Sequence, residues 1–127
     1  MQLQQNLNFL KKTTPKKLFN ASRIFTSYYR SRLTKSAAIA GLPFSIAIEP
    51  TTHCNLRCPE CPSGLRSFTR PIGSLQQDIF KKAIDELHPY LLNLTIYFQG
   101  EPYLNPQFLE MVAYAASRNI YTSTSTN

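Results

Sequence analysis

Strand and helix patterns alternate along the sequence between residues 44 and 126, and this alternation limits the chain to a small set of folds. Residues 44–48 and 94–98 alternate apolar side chains with polar or small ones, and residues 120–126 are rich in β-branched side chains. All three segments are therefore predicted strands. Because a helical pattern lies between each pair, the connections are long crossovers, which join parallel strands. The sequence predicts an α/β fold with a parallel sheet.

Both predicted helices carry boundary signals. The first is expected to begin at Ser74, which forms a capping-box pattern with Gln77, and to stop before Pro89. The second is expected to have Asn105 as its cap, and Asn119 suits a left-handed position at its end. The expected apolar faces are Leu75, Ile79, Phe80, Ala83, Ile84 and Leu87 in the first helix, and Phe108, Leu109, Val112, Ala115 and Ala116 in the second.

Three parallel strands leave a sheet edge and one face open. A (β/α)8 barrel takes about 250 residues, whereas this chain has 127 and ends directly after the third predicted strand. We therefore expect an incomplete (β/α) barrel of about three strands and two helices, the front portion of a larger barrel. Residues 44–127 are assigned to this barrel portion, and residues 1–43 to a basic helical arm and linker that precede it.

The positive charge of the chain is concentrated in the arm. The sequence has a formal net charge of +7, from fourteen Lys and Arg residues and seven acids. Residues 1–35 hold eight of these cations and no acid, which leaves six cations against seven acids in residues 36–127. The eight are Lys11, Lys12, Lys16, Lys17, Arg23, Arg30, Arg32 and Lys35. The basic character therefore belongs to the arm.

The arm is expected to be helical. Thr14 is a suitable N-cap, and Pro15 suits the first helical position. An imperfect apolar stripe follows among the cations, made of Leu18, Ala21, Phe25, Tyr28, Tyr29 and Leu33. Our preferred interpretation is a solvated lead-in helix that packs against the main domain. Contact with a membrane surface or with nucleic acid is the alternative.

All three cysteines lie within eight positions of the loop after the first predicted strand, at Cys54, Cys58 and Cys61. Thiolates at this spacing can converge on one metal centre. Iron–sulfur clusters are ordinarily held by four cysteines, so a set of three predicts a cluster with one iron open to another ligand. Catalytic zinc sites keep an open position in the same way. An odd number of clustered thiols fits a reducing compartment, and the expected location is the cytoplasm.

Two other interpretations compete with the cluster. A zinc-binding structural module would need a histidine as fourth ligand. His53 points away from the adjacent first cysteine in an extended segment, and His88 lies about 20 Å off along a helix. A thioredoxin-like pair at Cys58 and Cys61 is disfavoured, because residues 62–64 contain Pro and Gly where a helix should begin.

In parallel α/β folds, functional groups gather at the carboxyl ends of the strands. The cysteine loop follows the first strand, Gly100, Glu101 and Pro102 follow the second, and Ser125 and Asn127 lie at the end of the third. We therefore expect the three segments to share one rim, and the family resemblance described next implies that these five residues contact a cofactor there.

The motif Cys54-x3-Cys58-x2-Cys61 after a first strand resembles the signature of the radical S-adenosylmethionine (radical SAM) family. Gly100-Glu101-Pro102 resembles the second-strand motif of that family, and residues 49–62 are similar to members with a C-terminal SPASM extension. The resemblance covers residues 44–127. It implies a 4Fe–4S cluster on the three cysteines, with S-adenosylmethionine chelated to the open iron and residues 100–102 near its amino group.

The resemblance also implies a function. A radical SAM enzyme uses an electron from the cluster to cleave the sulfonium of S-adenosylmethionine, and the resulting 5′-deoxyadenosyl radical abstracts hydrogen from a substrate. The implied partners are a low-potential electron donor, a peptide or small-molecule substrate, and the remainder of the barrel in the same chain or in trans. The alternative functions are a fragment without activity of its own and a zinc-binding module. The sequence departs from the family pattern at Gln99, where glycine is usual, and at Glu60, where an aromatic residue is often found.

Overall fold

The structure, a computed structural model, describes residues 2–127. A helical arm made of α1 (Gln2–Lys11) and α2 (Pro15–Thr34) precedes a sheet of three short strands, β1 (Ser45–Ala47), β2 (Asn93–Thr95) and β3 (Tyr121–Ser123). The strands are parallel and lie in the order β1-β2-β3. This arrangement confirms the predicted α/β class with a parallel sheet.

Helices occupy both crossovers. The connection from β1 to β2 contains α3 (Pro62–Leu65) and α4 (Gln77–Leu87), and the connection from β2 to β3 contains a 3-10 turn (Pro102–Leu104) and α5 (Phe108–Ser117). Local signals explain part of this: Asn119 has the predicted left-handed conformation after α5, with a φ of 57°.

Two helix starts differ from the prediction. α4 begins at Gln77 and Ser74 does not cap it, because Ser74 pairs with Thr51 in an isolated antiparallel bridge with their hydroxyls 3.0 Å apart. The predicted capping box is therefore wrong. Asn105 stabilises the turn before α5 through its Oδ1, which accepts a hydrogen bond from the Gln107 N–H over 2.9 Å. α5 itself begins later, at Phe108.

One apolar core lies between the sheet and helices α4 and α5. Its buried members are Phe80, Ile84, Leu91, Leu94, Ile96, Phe108, Met111, Ala115 and Ile120. Two residues of the predicted faces are exposed, Ile79 at 58% and Leu109 at 62%. Met111, which the prediction omitted, is fully buried instead.

The arm lies across the amino ends of the strands. Phe25 of α2 stacks against Phe44, which precedes β1, with ring centroids 5.6 Å apart. Lys16 Nζ lies 4.8 Å from the ring centroid of Tyr90, shortly before β2. The arm thus packs at the edge of the sheet opposite the carboxyl ends of the strands. The division of the chain at residue 43 stays a prediction.

Two lysines anchor the arm beside β3. Lys17 is 2% exposed, and its Nζ donates hydrogen bonds to the carbonyl oxygens of Lys12 and Asn119. Lys12 Nζ donates to the Ile120 carbonyl over 2.9 Å. Burial lowers the pKa of Lys17, and the nearby Lys12 charge lowers it further. The Asn119 and Ile120 carbonyls follow the carboxyl end of α5, where cations are favourable.

The inward face of α2 is not the predicted apolar stripe. Its buried residues are Lys17, Asn20, Ala21 and Ser27. The Asn20 amide exchanges hydrogen bonds with both backbone groups of Leu42, at 2.7 and 2.9 Å, and so folds the linker back along α2. Hydrogen bonds from Lys17 and Asn20 therefore hold this face, together with the Phe25–Phe44 contact beside it. Among residues 2–127, no helix is long and apolar enough to cross a bilayer.

Candidate functional site

The cysteine loop is closed at its base above β1. The Thr52 N–H donates to the Gly73 carbonyl over 3.0 Å, and the Leu75 N–H donates to the Pro50 carbonyl over 2.9 Å. The Thr51 hydroxyl adds a hydrogen bond to Gly73. Since both ends of the loop are fixed, the cysteines between them are held near the carboxyl end of the sheet.

The helix α3 begins directly after Cys61. Cys61 is its N-cap residue and Pro62 occupies its first position, so the expectation that no helix begins here was wrong, because Pro is well suited to that position. The backbone N–H groups of Gly64 and Ser63 lower the pKa of the Cys61 thiol. They do so by stabilising the thiolate, which is the form of cysteine that binds metals.

Gly64 is a site residue that the sequence analysis did not identify. A Cβ atom at this position would lie 2.4 Å from both the backbone N and the backbone O of Cys58. Only glycine permits such an approach. Gly64 therefore lets the cysteine segment fold tightly onto α3. No local sequence signal indicates this approach, because it depends on how the loop folds back onto α3.

The segment after β2 lies against the backbone of the cysteine loop. A Cβ atom at Gly100 would lie 2.0 Å from the Thr51 carbonyl oxygen and 2.9 Å from that of His53. The Glu101 N–H donates to the His53 carbonyl over 2.8 Å. The Ser63 hydroxyl donates to the Gln99 carbonyl over 2.6 Å. Gly100 thus allows two loops to meet backbone to backbone.

The Glu101 carboxylate joins the second strand to the third. It accepts hydrogen bonds from the Thr126 hydroxyl at 2.7 Å, the Asn127 N–H at 2.9 Å and the Tyr103 N–H at 3.2 Å. Burial raises the pKa of Glu101, but the hydrogen bonds from Asn127, Thr126 and Tyr103 outweigh this effect and hold it below its usual value of 4.5. The carboxylate is buried and saturated with donors, which suits a structural role.

The third segment reaches back to the cysteine loop. Asn127 Nδ2 donates to Asn55 Oδ1 over 2.9 Å. Ser125 is exposed, and Thr126 rather than Ser125 contacts Glu101. The structure therefore brings the three segments together on one rim through direct hydrogen bonds. The roles of Gly100, Glu101, Pro102, Ser125 and Asn127 in cofactor binding stay predictions.

An ion pair between Arg70 and Glu49, which was not identified from the sequence, links the cysteine loop to the end of β1. The Arg70 guanidinium donates to both carboxylate oxygens of Glu49, at 2.5 and 3.0 Å, and lies over the Phe68 ring. The same carboxylate accepts a hydrogen bond from the Gln99 N–H. Gln99, which departs from the family pattern, is thus part of this network. The fork geometry of Arg suits a bidentate pair of this kind.

The cysteines are suitable ligands for a cluster. All three are free thiols, with Cys58 exposed and Cys54 and Cys61 half-buried. Within residues 2–127, no three His, Cys, Asp or Glu side chains converge on a position for one metal ion. Three thiolate donors match the chemistry of a four-iron cluster, in which each cysteine would bind a different iron. A cleft of about 340 Å³ opens beside Cys54 and is also lined by Arg66 and Arg70.

The chain is similar in sequence to several curated proteins. It is 30% identical over 94 residues to a PqqA peptide cyclase of Rhodopseudomonas palustris, a match that covers 72% of this chain and 25% of that protein. It is 32% identical over 90 residues to an AdoMet-dependent heme synthase of Methanosarcina barkeri, covering 71% of this chain and 26% of that protein. The chain therefore spans about a quarter of the length of the curated relatives it matches.

The fold also matches a solved structure. The crystal structure of BtrN in complex with AdoMet and 2-DOIA aligns with a TM-score of 0.61 and 22% sequence identity, over 68% of this chain and 36% of BtrN. No protein-family profile matches the chain. The cofactors of the radical SAM family are a 4Fe–4S cluster and S-adenosylmethionine. The match covers only part of each relative, which fits an N-terminal portion of a SPASM-type member. The similarity to these curated relatives shows that this chain belongs to the radical SAM family.

Proposed function

We propose that Cys54, Cys58 and Cys61 hold a 4Fe–4S cluster, and that the rim around Gly100 and Asn127 binds S-adenosylmethionine. The observation that carries this proposal is that the segments after β2 and β3 both contact the cysteine loop, through hydrogen bonds of 2.6–2.9 Å. A set of three thiolates leaves one iron free for a further ligand.

When bound, the cluster and S-adenosylmethionine supply a one-electron cleavage that gives a 5′-deoxyadenosyl radical, with the electron coming from a low-potential donor. The chain prepares the site for these cofactors. The Gly64 and Ser63 N–H groups favour the Cys61 thiolate, and the close packing of Gly100 fixes the second segment against the loop. Glu101 keeps the third segment in place through its hydrogen bonds from Thr126 and Asn127.

We assign turnover to a protein that contains the rest of the barrel, in the same chain or in trans, because the matches cover only about a quarter of the relatives. A peptide is our proposed substrate class. Its support is the 30% identity to a PqqA peptide cyclase over 72% of this chain. Assays of 5′-deoxyadenosine formation, with and without a complementing barrel portion, test this assignment. Sustained turnover by residues 1–127 alone would contradict it.

Anaerobic reconstitution with iron and sulfide tests the cluster. We expect a brown protein with about four irons per chain and a paramagnetic signal after reduction. Replacing Cys54, Cys58 or Cys61 singly with Ala should remove most of the bound iron. Glu60→Ala is the matched control, because Glu60 is an exposed position between two of the cysteines, and it should keep full iron content.

The zinc alternative predicts a different result. A colourless protein that takes up one zinc per chain and no iron would refute the cluster and support a structural module. Iron uptake that is unchanged in all three cysteine variants would also refute the proposal. Circular dichroism of each variant shows whether a loss of iron comes from unfolding or from loss of a ligand.

A further inference from the structure

The helix α2 has its polar side inward and its apolar side outward. Lys17, Asn20 and Ser27 are buried against the rest of the chain. Leu18, Tyr29 and Leu33 are 56–85% exposed, whereas Phe25 packs against Phe44. A surface helix of a globular protein has the opposite arrangement. We call Leu18, Tyr29 and Leu33 the outer stripe. Their spacing of eleven and four residues places them on one helical face.

The outer stripe is flanked by cations. At 100° per residue, Arg23 and Arg30 fall on one side of the stripe and Arg32 falls on the other. All three are exposed, as are Lys11 and Lys35. Residues 1–35 contain no acid. The lysines that anchor the arm, Lys12 and Lys17, are used at the opposite face, so the outer charges are available to a partner.

We propose that the outer stripe docks onto the surface of an anionic lipid bilayer. An amphipathic helix with an apolar strip between cations lies in the interface plane, with its apolar side chains at the acyl boundary and its cations at the headgroups. Tyrosine and arginine suit this depth, since each has an apolar body and a polar end. Each Lys or Arg near an anionic surface adds to the attraction.

The charges and side chains of the stripe favour this occupant over two others. A second copy would bring the same cations face to face without an acid in either arm, which is repulsive. Nucleic acid would bind the cations, but the aliphatic side chains of Leu18 and Leu33 gain nothing from phosphate contacts. Burial of those side chains in the acyl boundary removes apolar surface from water.

Co-sedimentation of the full chain with lipid vesicles tests the proposal. We expect binding to vesicles of phosphatidylcholine with about 30% phosphatidylserine, weaker binding at high salt, and little binding to phosphatidylcholine alone. Arg23→Gln with Arg30→Gln should weaken binding about thirtyfold, from roughly tenfold per 1.4 kcal/mol and about 1 kcal/mol per cation. The matched control, Lys82→Gln on α4, removes an exposed cation outside the arm and should leave binding unchanged.

The apolar contribution is tested separately. Leu18→Ser with Leu33→Ser should weaken binding by at least about tenfold, whereas Leu109→Ser, at a residue 62% exposed on α5, should not. The proposal is overturned if neutral vesicles bind equally well, or if the arm variants bind like their controls. It is also overturned if the outer stripe instead mediates a concentration-dependent dimer or binding to RNA. The same holds if a further part of a longer chain covers the stripe and prevents vesicle binding.

Discussion

Replacing Gly100 with Ala tests the close approach of the two loops at the rim. The added Cβ would lie 2.0 Å from the Thr51 carbonyl oxygen, whereas favourable separations are roughly 3.5–4.0 Å. The obstacle is backbone, which cannot rotate away as a side chain would. The cysteine loop and the segment after β2 must therefore move apart by more than about 1 Å.

The magnitude follows from two losses. Overpacking of this kind costs about 1–3 kcal/mol. Separation of the loops also lengthens the 2.8 Å hydrogen bond from the Glu101 N–H to the His53 carbonyl, which contributes about 0.5–1.5 kcal/mol. We expect Gly100→Ala to lower the free energy of unfolding by about 2–4 kcal/mol and to lower iron uptake with it.

Urea denaturation measures the first effect and anaerobic iron titration measures the second. Gly73→Ala is the matched control, because a Cβ atom there meets nothing within 4 Å. This control should be neutral, or more stable by up to about 1 kcal/mol through the unfolded state. A Gly100→Ala protein that unfolds within about 0.5 kcal/mol of the wild type would refute the reasoning.

Three further predictions concern polar groups. Lys17→Met should lower the free energy of unfolding by about 1–3 kcal/mol, because two carbonyls lose their donor, while Lys82→Met should be neutral in the same urea titration. Because the folded pKa of Lys17 is lowered, wild-type stability should rise with pH between that pKa and 10.5, and Lys17→Met should lack this rise. The folded pKa of Glu101 is lowered, so its carboxylate contributes stability that the wild type loses as pH falls below 4.5. Glu101→Gln should lack this contribution at neutral pH and should show a smaller loss of stability in acid unfolding. Ser63→Ala should cost about 1 kcal/mol in urea titration by removing the donor to the Gln99 carbonyl.

The sequence predicted helix ends correctly where the stabilising contacts lie within a few residues of the end. Thr14 caps α2 as expected, with its side chain accepting from the Lys17 N–H, and Pro15 is the first helical residue. Asn119 ends α5 in the left-handed conformation. In each case the residue and the groups that it satisfies lie within a few positions of one another, so the sequence contains the whole cause.

Predictions failed where a distant segment decides the outcome. Ser74 has the pattern of a helix cap, but its hydroxyl is hydrogen-bonded to that of Thr51, more than twenty residues earlier. The apolar stripe of α2 suggested an inward face, but hydrogen bonds to Leu42 and to residues after α5 turn the polar side inward. Gly64 gives no local sign of its approach to Cys58. Tertiary contacts of this kind override propensity.

The parallel order of the strands explains why the Cys61 thiol and the Glu101 carboxylate lie at one end of the sheet and the buried Lys17 at the other. Helices that follow strands in such a sheet begin near the carboxyl edge, where unpaired N–H groups stabilise negative charge. The Cys61 thiol at the start of α3 and the Glu101 carboxylate, which accepts from the Tyr103 N–H, both lie there. Helix α5 ends at the amino edge, where unpaired carbonyls favour cations, and Lys17 donates a hydrogen bond to the Asn119 carbonyl just after it. A thiolate cluster site at the first edge and a basic arm at the second are therefore both consistent with one topology.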